Sequence, residues 1–296
     1  TLNGLDPVVK ALNAGDSLTE TFHVTAVDGS GVSVGKDVVI TIRGSNDLPV
    51  VGGDVHGSTT EDTTPGTHGQ LTTTDVDTGD TTQWTGMNTA GAYGRFEMSA
   101  DGSWSYLLNG NSAQVQALKD GQVVSETFIA HGRDQHGGEV TQVITIDVHG
   151  TNDAAIITGQ RTGDLTEDQD VTTGQLVVSG QIRLTDIDTG EGILIAQTVQ
   201  GAYGTLELRS DGTWRYSADN AQDAIQHLGQ GATLTDNVSL TSADGTPYQI
   251  SVTVHGTNDV PVLSVLTAQN AVEEGAHIIG QLLGTDIDTG DTLIYS

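Results

Sequence analysis

At 296 residues the chain is long enough for two or three domains. Ten Lys and Arg stand against 39 Asp and Glu, a formal charge of −29, and so few cations argue against nucleic acid because they cannot neutralise phosphates. Without cysteine there is neither a disulfide staple nor a thiolate metal site, and no apolar run is long enough to span a bilayer. So acidic a chain repels itself unless counter-ions settle on it, and divalent cations do that best. Acidity that serves only solubility is the plainer alternative; acids at fixed, recurring positions favour the cations. Abundant Gly, Thr, Asp and Val with few aromatics suit short strands and turns.

Three seams with nearly the same words punctuate the chain: Gly44-Ser45-Asn46-Asp47-Leu48-Pro49, Gly150-Thr151-Asn152-Asp153-Ala154-Ala155 and Gly256-Thr257-Asn258-Asp259-Val260-Pro261. Asp47, Asp153 and Asp259 are spaced 106 residues apart, too long for a solenoid turn and right for one small domain. Residues 1–47 read as the C-terminal part of a repeat, and the alternating run Val38-Val39-Ile40-Thr41-Ile42 enters the first seam as a strand would. Residues 48–153 and 154–259 are complete repeats, and 260–296 are the N-terminal part of a further one. The chain looks like a piece of a longer protein, so its first partners are neighbouring repeats.

Within a repeat the order is constant. An acidic doublet stands after each seam: Glu61-Asp62, Glu167-Asp168 and Glu273-Glu274. Next comes Asp75-Val76-Asp77-Thr78-Gly79-Asp80, matched by Asp186-Ile187-Asp188-Thr189-Gly190-Glu191 and Asp286-Ile287-Asp288-Thr289-Gly290-Asp291. The middle repeat carries a few extra residues around 177–183, which are expected in a loop or hairpin. A hairpin follows: Phe96 and Met98, a turn at Asp101-Gly102, then Trp104 and Tyr106. Its second copy has Leu206 and Leu208, Asp211-Gly212, then Trp214 and Tyr216. Asp-Gly between alternating strands predicts a type I′ turn, with the apolar face on a core. A helical patch of two or three turns at most is expected around Val115 and Leu118, and around Ala221, Ala224, Ile225 and Leu228. Strands near 127–131 and 140–148, and near 236–240 and 248–254, close the repeats. Short strands broken by Gly and Asp turns, without βαβ alternation, spell an all-β fold of tandem Greek-key β-sandwiches joined end to end.

The Asp-x-Asp run carries the sharpest chemistry. On an extended strand Asp75 and Asp77 project together while Val76 faces the core, and the same holds for Asp186 and Asp188, and for Asp286 and Asp288. Two carboxylates side by side repel unless a hard cation joins them, and calcium accepts such oxygen ligands. An EF-hand reading fails, because Gly79 and Gly86 stand where ligands should be. An Asp-rich turn with nothing bound remains the alternative. Glu61, Glu167 and Glu273 each follow their seam by the same interval. The seams themselves offer Asn46 and Asp47, Asn152 and Asp153, and Asn258 and Asp259. Asp134 and Asp244 sit in the turn before the last strand, where a plain turn Asp is an equal reading. If a seam joins one sandwich to the next, these groups converge there, and Ca2+ would stiffen the linker.

Together the seam, the Thr-Glu-Asp doublet, the Asp-Val-Asp-Thr-Gly-Asp run and the Tyr-Gly…Asp-Gly-Ser-Trp-Ser-Tyr hairpin resemble VCBS repeats over the whole chain. Those repeats stand in tandem in giant bacterial surface adhesins, often beside cadherin-like modules. The resemblance implies Ig- or cadherin-like extender domains, calcium at junctions and a location outside the cell. Two positions depart from the pattern: Ala155 replaces the seam proline and Glu191 replaces an Asp. The first could leave its junction less rigid before metal binds.

Other chemistry finds little support. Trp104 and Trp214 could stack on sugars, which would make a carbohydrate- or matrix-binding module, but their pairing with Tyr106 and Tyr216 favours core packing. Trp84 aligns with Ile195 and Tyr295 as a large core position. The histidines show no ligand spacing beyond His131 and His136. Paired acids repeated in every copy are unlike a glycosidase site. The reading is a non-enzymatic, calcium-stiffened extracellular spacer with no nucleic-acid partner and no membrane insertion. Any surface glycan or matrix ligand would be met by other domains.

Overall fold

Where the sequence alternates apolar and polar side chains, the strands alternate buried and exposed residues, and this period-two pattern presses two sheets together in each repeat. The computed structural model describes residues 3–264, 273 and 282–295, so Glu274 of the third doublet lies outside the described residues. They fall into two units, Thr1–Asn152 and Asp153–Ser296.

The first unit opens with one helical turn, α1 (Pro7–Lys10), capped by Asp6, whose carboxylate accepts the Val8 N–H at 2.9 Å. A long antiparallel hairpin follows, β1 (Ser17–Val27) with β2 (Ser33–Arg43). Its Phe22, Val24, Val38 and Ile40 are exposed. They stand one repeat before Phe128, Ala130, Ile144 and Ile146, all of which are core residues. The complete sandwich of this unit runs β3 (Val50–Gly53), β4 (His56–Thr60), β5 (Gly66–Thr74), β6 (Gln83–Trp84), β7 (Met87–Ala90), β8 (Gly94–Met98), β9 (Ser103–Leu108), β10 (Val123–Arg133) and β11 (Glu139–His149). One sheet has the order β3-β5-β9-β8-β7 and the other β4-β11-β10-β6, with β4 parallel to β11.

The second unit repeats the plan with β12 (Ile156–Gly159), β13 (Thr162–Thr166), β14 (Gln175–Thr185), β15 (Gln197–Gln200), β16 (Thr205–Leu208), β17 (Thr213–Asp219), α2 (Asp223–Gln226), β18 (Thr233–Thr241) and β19 (Pro247–His255). Its sheets are β12-β14-β17-β16-β15 and β13-β19-β18, again with the parallel pair β13 and β19. Past the third seam β20 (Val262–Leu263) pairs with β21 (Gly284–Thr285). The tandem all-β sandwich expected from the strand pattern is thus the observed fold.

Both cores are built around the β8–β9 hairpin and its copy β16–β17. Trp104 and Trp214 are 3% and 1% exposed, and their indole N–H groups donate to the backbone oxygens of Asp54 at 2.9 Å and Gln160 at 2.8 Å. With both faces and the polar edge occupied, neither ring is open to a sugar. Beside them lies a recurring lock. The Tyr106 hydroxyl donates to Glu126 at 3.0 Å and Tyr216 to Asp236 at 2.7 Å, and burial pushes both phenols far up. The same acids accept the N–H of Tyr93 at 2.6 Å, and of Ala202 and Tyr203 at 3.0 and 2.9 Å. A Cβ at Gly91 or Gly201 would stand 2.2 Å from the acid, so the turn can approach only as glycine.

Several sequence expectations change. The Asp-Gly turns are not type I′, since only Gly102 and Gly212 have positive φ. Asp101 and Asp211 each accept an N–H and a hydroxyl from the residue two ahead, which builds a wider loop. The helical patch shrinks to the single turn α2 in one copy and to overlapping hydrogen-bonded turns between Ser112 and Leu118 in the other. Trp84 is buried, but Leu194 rather than Ile195 fills its place in the second repeat, and Tyr295 is exposed. The extra residues lengthen both the turn before β14 and that strand itself, which has 11 residues where β5 has 9. Truncating Trp214 to Ala should cost the second repeat about 3–5 kcal/mol in denaturant unfolding. The transition of the first repeat should stay in place.

Candidate metal centres at the seams

The Asp-x-Asp run leaves its strand and turns rather than continuing extended. Asp75 accepts the Asp77 N–H at 2.9 Å, Asp186 that of Asp188 at 2.9 Å, and Asp286 that of Asp288 at 3.1 Å. This Asx turn inverts the expected facing. Val76, Ile187 and Ile287 are exposed, while Asp77, Asp188 and Asp288 are 2%, 2% and 4% exposed. The inward Asp clamps the seam: its Oδ2 accepts the N–H of Asp47, Asp153 or Asp259, each at 2.8 Å.

The Glu of the doublet grips the seam from the other side. Glu61 accepts the Thr151 N–H at 2.6 Å and Glu167 the Thr257 N–H at 2.7 Å, and both glutamates are fully buried. Glu273 is exposed. In the turn before the last strand Asp134 takes N–H bonds from His136 and Gly138 and the Asn46 amide at 2.9 Å. Asp244 takes the Ala155 N–H at 3.2 Å and the hydroxyls of Ser242 and Thr246. Ala155, which lacks the proline ring, therefore ties its seam through an N–H that proline does not have.

Each clamping carboxylate uses one oxygen on a backbone N–H, and in most of them the other oxygen is buried without a hydrogen-bond partner. In the first unit these are Asp75 Oδ2 and Asp77 Oδ1, joined by the amide oxygens of Asn46 and Asn13. In the second unit they are Glu167 Oε2, Asp186 Oδ2, Asp188 Oδ1 and Asp288 Oδ1, joined by Asp259 Oδ2 of the clamped seam residue itself. A buried, unpaired carboxylate oxygen is costly, and a cation removes the cost. Every orphan is an oxygen, the donor set of calcium or magnesium rather than of a softer metal.

The first seam brings together Asn46, Asp47, Asp75, Asp77 and Asp134, with Asn13 donating its amide to Thr78 O at 3.0 Å. Oxygens of Asp75, Asp80 and Asp134 lie within 4.8 Å of one another, as do those of Asp286, Asp288 and Asp291. The third acid of the run, Asp80 or Asp291, was missed in the sequence although it ends the motif each time. His136 Nδ1 meets Asp80 at 2.9 Å, which lowers the carboxyl and raises the imidazole. At the third seam Glu167 and Asp288 hold the N–H groups of Thr257 and Asp259. Burial, opposed by the Thr257 N–H and reinforced by Asp259, raises the Glu167 carboxyl. Burial and then the charges of Asp168 and Asp288 raise Asp259. Asn152 and Asn258 are exposed, and the Asn258 amide caps its own neighbour, Asp259 O, at 2.7 Å.

Burial raises the Asp244 carboxyl, but its bonds from Ser242, Thr246 and Ala155 outweigh that and bring it down to about 2. A depressed carboxyl stabilises above its unfolded value and loses the contribution as pH falls through its folded one. Asp244→Ala should therefore destabilise the second repeat at neutral pH, and the deficit should shrink between pH 3.8 and about 2. Denaturant titrations across that window measure it.

Residues 46–150 and 152–256 match the sequence profile of the bacterial cadherin-like domain. Among solved structures the chain is similar to the Protocadherin GammaB4 extracellular domain at 19% identity, covering 93% of this chain and 44% of that one with a TM-score of 0.47. Protocadherin Gamma B2 extracellular cadherin domains 3-6 follow at 16%, covering 82% and 60%, with a TM-score of 0.46. Mouse Protocadherin-24 EC1-3 is 15% identical, covering 81% and 80%, with a TM-score of 0.35. The chain spans about half the length of the first two of these structures. No curated protein matches it.

Proposed function

The chain belongs to the bacterial cadherin-like domain family, and on that premise we propose that it is a calcium-stiffened spacer in a large bacterial cell-surface adhesin, of the VCBS-like kind. The observation that carries this reading is the set of buried carboxylate oxygens left without a partner at the seams. Calcium would be held by Asp75, Asp77, Asp134 and the Asn46 amide at the first seam. At the third it would be held by Glu167, Asp259, Asp286 and Asp288. The bound ion would supply positive charge that joins the seam to the turns on either side of it.

The role is mechanical. The same carboxylates already hold the seam backbone through its N–H groups, so neutralising them fixes the linker to the domain that carries them. A distal binding domain is then held away from the cell. Metal that binds only the folded state stabilises it by mass action, about 2.7 kcal/mol at a hundredfold excess over Kd. The rival carbohydrate-binding reading loses its platform, because the hairpin tryptophans are core residues. No helix among the described residues is long and apolar enough to cross a membrane.

Small-angle scattering with and without chelator tests the proposal. Removing calcium should change the maximum dimension and broaden the distance distribution, while the far-UV spectrum of the β-sandwiches persists. An unchanged scattering profile would contradict a calcium-stiffened linker.

A further inference from the structure

The outward face of the sheet β12-β14-β17-β16-β15 carries a charge pattern unlike the rest of the chain. Gln181 stands in register with Thr213 and Ser179 with Arg215, while Glu207 stands opposite Arg215 from the other side. The Arg209 N–H donates to Thr213 O at 2.9 Å, which sets that residue beside the same rung. Ile182, Leu208 and Trp214, which alternate with these residues, are buried, so Arg183, Arg209 and Arg215 project outward. All three are exposed and form no ion pair among the described residues, in a chain with 39 acids and ten cations.

The first repeat keeps the register, Gln70 with Ser103 and Glu97 with Ser105, but Thr72, Ser99 and Ser105 occupy the three positions. Arg95 on that face is instead paired with Glu97 at 3.4 Å. In the second repeat Thr158, Ser179, Gln181 and Thr213 surround the arginines, and no aromatic side chain among the described residues lies on the face. Asp211 is held by the N–H and hydroxyl of Thr213 at 2.9 and 2.6 Å. At one end opens a groove of about 510 Å³, with Gln181, Arg183, Ile193 and Ser210 in its lining.

Strand geometry sets the three arginines about 8 to 14 Å apart along and across the sheet. One small anion does not bridge that distance, whereas a polymer with charges at intervals does. Glu207 and Asp211 break the patch into separate positive points, which again favours spaced charges over a dense polyanion. Protein partners rely on aromatic anchors, which the face lacks, and three cations without a stacking ring make a poor nucleic-acid surface. Hydroxyls and amides between the arginines match sugar hydroxyls, and the guanidinium fork matches a carboxylate. We propose that this face of the second repeat binds an acidic polysaccharide, with Arg183, Arg209 and Arg215 on its uronate carboxylates. The site works by charge: it owes nothing to the hairpin tryptophans and uses none of the seam carboxylates.

Calorimetric titration of the full chain tests this, with a hexasaccharide of alternating glucuronate and N-acetylglucosamine as the probe. The buffer holds no calcium, so that the sugar carboxylates cannot bind through the metal. The parent should bind saturably, and the combined Arg183→Gln, Arg209→Gln and Arg215→Gln variant should bind about tenfold more weakly or worse. Because the three side chains are exposed, that variant should keep the denaturant midpoint of the parent. Arg95→Gln, on the first repeat, should bind as the parent does. No saturation by about 1 mM probe, or a combined variant that binds like the parent, would overturn the proposal. So would equal binding of a neutral N-acetylglucosamine oligomer, which carries no charge to read, or of polyglutamate, which carries no sugar.

Discussion

A buried carboxylate with one oxygen on a backbone N–H and the other facing no donor is the constraint on which the seams depend. It appears at Asp77, Asp188, Asp288 and Glu167. The bonded oxygen fixes where the seam chain runs, and the unbonded one leaves a negative charge in a poorly solvated place. Such a charge costs several kcal/mol unless it is paired. The seam's own groups therefore hold it in shape but leave its charge uncompensated. On the calcium proposal, binding and stiffening would be one event, because the same side chain would hold both the cation and the linker backbone.

The sandwiches supply the rigid frame that this arrangement needs. The seam clamps grow from the end of β5, from the turn after β13 and from the turn before the last strand, three places fixed by sheets on one core. The hairpin tryptophan, the tyrosine and the buried acid beneath it tie the two sheets together in both copies. Because the acid under the tyrosine is fully engaged by the turn above it, it plays no part at the seam. The core acids Glu126 and Asp236 are satisfied, whereas Asp77, Asp188, Asp288 and Glu167 at the seams each keep one oxygen without a partner.

Much of this was legible in the sequence because the repeat shows its own alignment. The 106-residue interval located the seams, and strand alternation around Phe96, Trp104 and Tyr106 gave a sandwich with the right core face. The facing of the Asp-x-Asp run was not legible. An extended-strand rule put Val76 inside, whereas an Asx turn within the run puts Asp77 inside. Trp84 and Ile195 misled for a related reason: a one-residue shift in an irregular segment hands the core position to Leu194. Asp80 and Asp291 were visible as letters, but their place in an acidic group depends on how the chain turns bring the carboxylates together. Their recurrence at the end of each acidic run was the available signal.

Isothermal titration of the chelator-stripped chain with calcium, and separately with magnesium, tests the central claim most directly. The account predicts more than one calcium site per chain, weaker binding of magnesium, and loss of the calcium sites in the combined Asp77→Asn, Asp188→Asn and Asp288→Asn variant. Magnesium is disfavoured because it demands a tight octahedron and keeps its waters, whereas calcium accepts clustered carboxylate and amide oxygens in a looser geometry. Absence of binding at about millimolar calcium, the weak end for extracellular calcium modules, would contradict it. The seam acids would then be clamps for backbone N–H groups and nothing more.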